Sequence, residues 1–207
     1  MPETSRVHIV DDDASVRDAL AMLLATAGIE SRAYASAEAF LDCGPVAEAT
    51  CVLLDIQLPG MSGVELLRLM TARASRAAVI MITAYPDVPT AVATMRMGAF
   101  HFVQKPFDAE ALLLTIEEGI ARSAEANDQQ RDTREVAARF ARLTPREQEV
   151  FALLCEGLPT KIVASRLAIT SRTAEHHRAA VMQKMEARTM SHLVRMALKI
   201  ESAAGPP

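Results

Sequence analysis

Short apolar runs alternate with amphipathic stretches along the first 122 residues of the chain. Runs of this length, bounded by turn residues, are typical of buried strands, and they cover residues 6–10, 51–56, 78–84 and 100–105. Residues 30–36 have a weaker strand pattern. Apolar residues at helical spacing occupy the segments that follow them: 15–28, 36–43, 64–72, 89–98 and 108–123. This alternation predicts a doubly wound α/β fold, a five-stranded parallel sheet with helices on both faces.

The pattern changes after residue 122. Residues 123–135 contain no large apolar side chain, so we expect a solvated connector that can continue the preceding helix. Thr144, Pro145 and Glu147 then form a capping-box sequence at the start of a helix. A short helix near 160–168, a turn, a longer basic helix at 172–185 and a last helix from Ser191 predict an all-α helix-turn-helix domain. The predicted domains are residues 1–122, a helical linker at 123–142, and 143–207.

Composition limits the classes of protein that fit. The chain has 207 residues, of which 50% are hydrophobic and 23% charged, so it can bury a core and is not a disordered tail. No apolar run approaches the ~20 residues that cross a bilayer, and MPETSRVHIV lacks the features of a secretory signal. We therefore expect a cytoplasmic protein without a membrane partner. Three cysteines without metal-ligand spacing predict reduced thiols: Cys43, Cys51 and Cys155.

Charge divides the chain into two parts. Residues 1–122 carry 16 acidic and 9 basic residues, whereas residues 143–207 carry 6 acidic and 9 basic residues. The net charges are −7 and +3. An acidic first part and a basic second part suggest two functions, the second of which involves a polyanion.

Acidic and basic side chains stand at the carboxyl ends of several predicted strands, the edge where ligands bind in such sheets. Asp11, Asp12 and Asp13 follow the first strand, Asp55 lies near the end of the third, and Thr83 and Lys105 end the fourth and fifth. Taken alone, the aspartates fit a solvated turn that caps a helix. Together, the set predicts a magnesium site beside a carboxylate nucleophile, with a lysine and a hydroxyl for a phosphoryl group.

This first part resembles the receiver domain of two-component response regulators. The resemblance is carried by VHIVDDD, LLDIQLPGMSGVELL, IMITAY and FVQKPF and implies a flavodoxin-like fold over residues 5–122. It implies Asp55 as the phosphoacceptor, with Thr83 and Lys105 contacting the phosphoryl group and Thr83 and Phe102 acting as the switch. It also implies a cis Lys105–Pro106 peptide bond. The Mg²⁺ ligands that it implies are Asp11, Asp12, Asp55 and the Gln57 main-chain carbonyl.

A phosphatase is the alternative for the acidic motif. Asp11-x-Asp13-x-Ser15 is loosely similar to the nucleophile motif of haloacid-dehalogenase-type phosphatases. Those enzymes need a further acidic pair after the lysine, and PFDAEALLL does not supply it. That hypothesis also leaves Asp55 without a role.

Residues 143–201 resemble the LuxR-type helix-turn-helix of the FixJ/NarL group, and across both domains the chain looks most like FixJ-like regulators. LTPREQEV, EGLPTKIVASRLAIT, SRTAEHHRAAVMQKM and SHLVRMALK carry this resemblance. Arg172, Glu175, His176 and Ala179 share one side of the predicted recognition helix and are candidates for base contacts. We expect backbone contacts or packing for Lys161, Thr173, His177, Arg178 and Lys184. Thr160, Ala174 and His176 depart from the family pattern, so the DNA sequence cannot be transferred from relatives.

The combined resemblance implies a transcriptional regulator rather than an enzyme. A sensor histidine kinase would phosphorylate Asp55, and the phosphorylated chain would dimerise and bind double-stranded promoter DNA, with RNA polymerase as a further partner. An apolar surface near Met95, Met97, Phe100 and Phe102 would suit the dimer, although at least half of these residues are expected in the core. The alternative within the same family is a signalling adaptor that no longer binds DNA.

Overall fold

The structure is a computed structural model that describes residues 6–43 and 49–204. The described part leaves out residues 1–5, which begin the MPETSRVHIV segment, and the side chain of Cys43. Cys51 and Cys155 are free thiols, as predicted. The chain divides into two compact units, Met1–Asn127 and Asp128–Pro207.

The first unit is a parallel sheet flanked by helices. Its strands are β1 (Arg6–Val10), β2 (Glu30–Tyr34), β3 (Cys51–Asp55), β4 (Ala78–Thr83) and β5 (His101–Gln104). All neighbouring strands pair in parallel in the order β2-β1-β3-β4-β5. The helices are α1 (Ala14–Thr26), α2 (Ala37–Cys43), α3 (Gly63–Ala72), α4 (Val88–Arg96) and α5 (Ala109–Phe140). The doubly wound sheet is confirmed.

Alternating side chains of the central strands fill two separate cores, because successive residues of a strand point to opposite faces. Val52 and Leu54 of β3 pack with residues of α2 and α3 in one core. Cys51 and Leu53 of the same strand pack with residues of α1 and α5 in the other. Every residue of β3 and β4 is buried, which explains why these strands are continuous apolar runs in the sequence.

The second unit is helical. After the end of α5, its helices are α6 (Pro145–Cys155), α7 (Thr160–Arg166), α8 (Ser171–Lys184) and α9 (Met190–Ala204). Residues from all four helices form one core that also includes Val136 of α5. The capping box predicted at the start of α6 is present, with Thr144 and Glu147 each bonded to the backbone of the other.

Helix boundaries differ from the predicted ones by one or two residues at several ends. Asp87 caps α4, which therefore begins at Val88 and not at Pro89. Thr170 caps α8, which begins one residue before the predicted start. The segment predicted as a connector lies within α5. Over the described residues, no helix has both the length and the apolar composition needed to cross a membrane.

Candidate phosphoryl site and DNA-binding surface

The predicted acidic site lies at the carboxyl ends of β1 and β3, which are neighbours in the sheet. Val10 is the last residue of β1 and pairs with Leu54, so Asp11 and Asp55 follow at the same level. Both carboxylates are largely buried, at 2% and 7% relative exposure, whereas Asp12 is exposed. The pairing of the two strands therefore brings together acids that are 44 residues apart in the sequence.

Lys105 joins the two buried acids. Its ammonium nitrogen lies 2.6 Å from Asp11 Oδ2 and 2.6 Å from Asp55 Oδ2. Burial favours a lower pKa for Lys105, but the hydrogen bonds to the two carboxylates outweigh it and raise the pKa above its usual value. Burial raises the pKa of Asp11, and the hydrogen bond from Lys105 offsets only part of that effect. The lysine is thus held charged between the two acids.

The three acids offer oxygen atoms to one point. One carboxylate oxygen from each of Asp11, Asp12 and Asp55 lies within 4.8 Å of the other two. Carboxylate oxygens are the ligands that hard divalent cations such as Mg²⁺ prefer, and the exposed Asp12 leaves room for water ligands. The donor set therefore suits a metal ion of this class.

Asp13 has a different role from its two neighbours. Its Oδ1 accepts hydrogen bonds from the backbone N–H and the hydroxyl of Ser15, which makes it the N-cap of α1. These bonds hold the pKa of Asp13 below its usual value. The helix-cap interpretation is confirmed for Asp13, whereas Asp11 and Asp12 lie in an acidic cluster with Asp55.

The loop after Asp55 is fixed by two contacts. Gln57 donates its backbone N–H to Asp55 Oδ1 at 3.0 Å, so the carboxylate has partners on both oxygens. Glu38 of α2 accepts the backbone N–H of Met61 at 2.8 Å. Gly63 then begins α3 so close to β3 that an added Cβ would lie 2.0 Å from the Asp55 carbonyl oxygen. These contacts orient the loop that carries Gln57.

The two residues predicted as the switch lie on adjacent strands. Thr83 ends β4, is 1% exposed, and its hydroxyl accepts the N–H of Tyr85 at 3.2 Å. Phe102 of β5 is partly buried and packs against the core on the α2–α3 face. Among the described residues, no hydrogen bond joins either side chain to the acids or to Lys105. The Lys105–Pro106 peptide bond is cis, as the resemblance implied.

Helix α4 exposes an apolar stripe. Val88, Val92 and Met95 are 75%, 44% and 45% exposed and recur at helical spacing, with Tyr85 just before the helix at 74%. Met97, Phe100 and Phe102 instead pack against the two cores. Met95 is therefore the one member of the predicted apolar set that is largely exposed.

The candidate base-reading residues share the solvent side of α8. Arg172, Glu175, His176 and Ala179 are all exposed, as are Lys161 on α7 and Thr173. Glu175 lies 3.7 Å from Arg178, so these two side chains pair on the surface. Ala174, which departs from the family pattern, is completely buried and faces the core of the second unit.

Lys184 is half-buried and forms an ion pair within the second unit. Its ammonium lies 2.6 and 2.9 Å from the two carboxylate oxygens of Glu147, which also accepts the backbone N–H of Thr144. The hydrogen bond from Lys184 is the main reason why the pKa of Glu147 is lowered. Of the two roles left open for Lys184, its contacts support packing between α6 and α8.

Several of these residues carry no signal in the sequence. Arg17 donates to the Asp11 carbonyl at 2.7 Å, and Glu38 binds a backbone amide 23 residues away. Neither contact follows from a local motif. The Gly63 contact is foreseeable only because glycine at the first position of a helix is a poor helix former, which suggests a steric requirement.

Comparison with known proteins matches each of the two parts of the chain to a known family. Residues 7–117 match the family model described as "Response regulator receiver domain", and residues 141–197 match "Bacterial regulatory proteins, luxR family". The transcriptional regulatory protein FixJ of Azorhizobium caulinodans is 44% identical over 96% of this chain and 94% of its own length. The C4-dicarboxylate transport transcriptional regulatory protein DctR of Rhodobacter capsulatus is 44% identical, over 92% of this chain and 98% of its own.

Two solved structures of response regulators are similar to this chain over nearly its whole length. The response regulator StyR has a TM-score of 0.86 and 38% identity, covering 95% of this chain and 100% of its own. Full-length FixJ from B. japonicum has a TM-score of 0.57 and 38% identity, covering 96% and 98%.

Proposed function

The chain belongs to the response regulators that join a receiver domain to a LuxR-type DNA-binding domain, and from this we propose how its residues carry out phosphorylation-dependent transcription regulation. The receiver takes its input from a sensor kinase, and the second domain binds DNA. Asp55 is the phosphoacceptor. The observation that carries this assignment is the position of Lys105, whose ammonium contacts the Asp55 and Asp11 carboxylates at 2.6 Å each.

We propose that the Asp55 carboxylate is the nucleophile in transfer from a phosphohistidine of the kinase. One carboxylate oxygen attacks phosphorus, a P–O bond forms as the P–N bond breaks, and the imidazole leaves with the bonding electron pair. Lys105 is placed to bind an oxygen of the arriving phosphoryl group. The hydroxyl of Thr83, now an acceptor for Tyr85, would donate to another.

We propose Mg²⁺ as the cation of the acidic site, held by Asp11, Asp12, Asp55 and the Gln57 carbonyl. When bound, the ion would neutralise negative charge on the phosphoryl oxygens. The supporting observation is the convergence of three carboxylate oxygens within 4.8 Å. Arg17 donates to the Asp11 carbonyl, and the backbone N–H of Asp13 donates to Asp11 Oδ1. These two hydrogen bonds orient Asp11 as a ligand.

We propose that phosphorylation produces a dimer through the exposed stripe of α4. The phosphoryl group would add about two negative charges and three acceptor oxygens at the end of β3, beside the end of β4. Rotation of Thr83 toward them would leave space for Phe102 to move inward, and this would change the surface of β5 next to α4. The apolar side chains Val88, Val92 and Met95 supply the surface that a dimer would bury.

We propose that the dimer places two α8 helices in successive major grooves of promoter DNA. Arg172, Glu175 and His176 would read base edges, while Lys161 and Thr173 would contact phosphates. Promoter binding makes RNA polymerase a further partner and the cytoplasm the site of action. The chain would have no substrate turnover beyond loss of its own phosphoryl group.

We propose that the kinase docks beside Lys105. A largely apolar cavity of about 480 Å³ lies there, lined by Ser15, Val16 and Ala19 of α1 and by Pro106 and Phe107. A helix bearing the phosphohistidine could place apolar side chains in this cavity while its imidazole faces Asp55. Docking at this position would bring donor and acceptor together without a large movement of the receiver.

Phosphorylation of variants tests the assignment. Incubation with phosphoramidate and Mg²⁺ should add one phosphoryl group to the full chain, seen as an intact-mass shift, and Asp55→Asn should abolish it. Asp18→Asn, an exposed acid on α1, is the matched control and should be phosphorylated normally. Full phosphorylation of the Asp55→Asn variant would contradict the proposal.

A further inference from the structure

A second cavity of about 220 Å³ lies at the amino ends of β4 and β5, the edge of the sheet opposite to the acidic site. It lies between the segments that lead into these two strands and residues 122–126 of α5, which belong to the first unit. Its walls include Arg76, Gly98, Phe100, Arg122, Ser123 and Ala126. The role assigned to the receiver above uses none of these residues.

The cavity is strongly basic. Arg76 and Arg122 line it, and no acidic residue is among its lining residues. Within the described part of the chain, no carboxylate lies within 4.0 Å of either guanidinium group. Arg76 donates one N–H to the carbonyl of Ala126, and Arg122 lies over the Phe100 ring at 5.6 Å. Each guanidinium carries five N–H donors, so most of the donors at this cavity are available to an acceptor.

A buried hydroxyl adds a second and independent observation. Ser123 lines the cavity, is 1% exposed, and its Oγ has no hydrogen-bond partner among the described residues. Serine hydroxyls in helices commonly bond to a carbonyl of the preceding turn, and buried polar atoms are rarely left without partners. An acceptor in the cavity would satisfy this hydroxyl.

The walls are held by close packing. A Cβ added at Gly119 would lie 3.0 Å from the Ala78 Cβ and 3.3 Å from the Phe100 ring, so α5 approaches β4 as closely as a glycine permits. Phe100 is fixed in turn by its N–H, which donates to the Val79 carbonyl at 2.7 Å. The arginines therefore stand on a rigid frame, which reduces the entropy cost of binding.

We propose that this cavity binds a small oxyanion, a phosphate or a short carboxylic acid. Arginine matches both groups because its planar fork donates two parallel hydrogen bonds to a carboxylate or a phosphate. The volume is below the ~300–1,000 Å³ of pockets that hold drug-sized ligands, which argues against a nucleotide. This site is separate from the phosphoacceptor, so the proposal does not rest on the function assigned to Asp55.

Binding can be measured by titrating the full chain with inorganic phosphate and, separately, with succinate. Amide NMR shifts are followed in EDTA, which removes divalent cations and with them a competing phosphate site at Asp55. We expect saturable shifts at residues 76–78, 98–101 and 122–126, without shifts at Asp11 or Lys105. If just one of the two anions saturates the shifts, that anion identifies the class of ligand. If both saturate them, charge rather than shape selects the ligand. The absence of saturable shifts with either anion would overturn the proposal.

Variants separate binding from packing. Arg76→Gln and Arg122→Gln should each weaken binding by about tenfold, the loss of one charge-assisted contact. Arg73→Gln, an exposed arginine outside the cavity, should bind as the wild type does. Equal affinity in all three variants would overturn the proposal. Because Arg122 is exposed, its variant should fold even where Arg76→Gln does not.

Ser123→Ala gives a readout that a structural role alone would not produce. Removing an unpartnered hydroxyl should leave the melting temperature of the free protein unchanged or higher. The same change should weaken anion binding, since a donor to the anion is lost. A lower melting temperature together with unchanged anion affinity would show a packing role and contradict the inference.

Discussion

Gly63 sets the distance between α3 and β3, the strand that ends at the proposed phosphoacceptor Asp55. A Cβ at this position would lie 2.0 Å from the Asp55 carbonyl oxygen and 3.1 Å from the Ile56 Cα, and both of these atoms belong to the backbone. A backbone cannot rotate away as a side chain can. Gly63, eight positions after Asp55, thus controls how closely the loop between β3 and α3 folds back on β3.

Gly63→Ala should therefore destabilise the first unit by roughly 1–3 kcal/mol, the usual cost of overpacking, and reduce phosphoryl uptake by Asp55. Thermal unfolding and intact-mass phosphorylation measure the two effects. Arg68→Ala changes an exposed residue of the same helix and should alter stability by less than about 0.5 kcal/mol. A Gly63→Ala variant as stable and reactive as the wild type would show that the loop can relax.

At the residue scale, the sequence motifs predicted that the acids and the lysine lie at one edge of the sheet, because strand ends and residue types are visible in the sequence. The Lys105 contacts with Asp11 and Asp55 follow from three segments meeting at one edge. The contact of Glu38 with the Met61 amide does not, because any exposed glutamate in α2 looks the same in the sequence. Contacts between a side chain and a distant backbone group need the fold before they can be found.

At the scale of elements, the ion pair of Glu147 and Lys184 connects the start of α6 to the end of α8, the proposed recognition helix. Glu147 is 6% exposed and keeps both carboxylate oxygens bonded to Lys184. Its pKa is lowered from 4.5, chiefly by the hydrogen bond from Lys184. A depressed pKa in the folded state means that the stabilisation is present above pH 4.5 and is lost as the pH falls through the lowered value.

Glu147→Gln should cost the second unit about 1.5–3 kcal/mol at neutral pH, the value of a hydrogen bond to a charged group. The difference between this variant and the wild type should shrink as the pH falls through the lowered pKa of Glu147 and that carboxylate is protonated. Urea unfolding followed by NMR signals of α6 and α8 measures it. Glu149→Gln, on the same helix but exposed in its pair with Arg146, is the control and should change little. A pH-independent difference would contradict this account.

Two surface positions of the second unit should affect DNA binding in different ways. Arg172→Ala should weaken binding to the operator by about 1–3 kcal/mol and relax base preference at one position. Lys161→Ala should weaken binding to all sequences and reduce the salt slope by about 1. Fluorescence anisotropy on footprinted DNA at several salt concentrations separates the two. Arg195→Ala on α9 is the matched control and should bind normally. Equal effects of the first two variants on every sequence would remove Arg172 from base reading.

Element types were predicted well because β1, β3 and β4 are apolar runs bounded by polar turns. Element ends were less accurate, for reasons that lie in single residues. Asp87 accepts the N–H of Thr90, so α4 starts before Pro89, where the proline alone suggested its first residue. The continuation of α5 to Phe140 was left open, because residues 123–135 lack an apolar face but also lack glycine and proline.

At the scale of the whole molecule, the stripe on α4 is the surface from which a dimer is expected. Val92→Glu should leave phosphorylation of Asp55 intact and raise the dissociation constant of the phosphorylated dimer by roughly a hundredfold, since each copy would bury a charge in place of an apolar side chain. Analytical ultracentrifugation with phosphoramidate and Mg²⁺ measures this. Met22→Glu replaces a 72% exposed residue of α1 and should dimerise normally. Equal dimerisation of the two variants would place the interface elsewhere.

The order of segments along the chain has a consequence for its synthesis. All residues of the acidic site precede Pro106, and the α5 residues that complete the core around them end near Ile120. Domains made first generally fold first, and at ~5–20 residues per second the remaining ~90 residues take roughly 5–20 s to translate. A nascent chain can therefore complete the acidic site proposed to accept the phosphoryl group before its ribosome has made the LuxR-type domain.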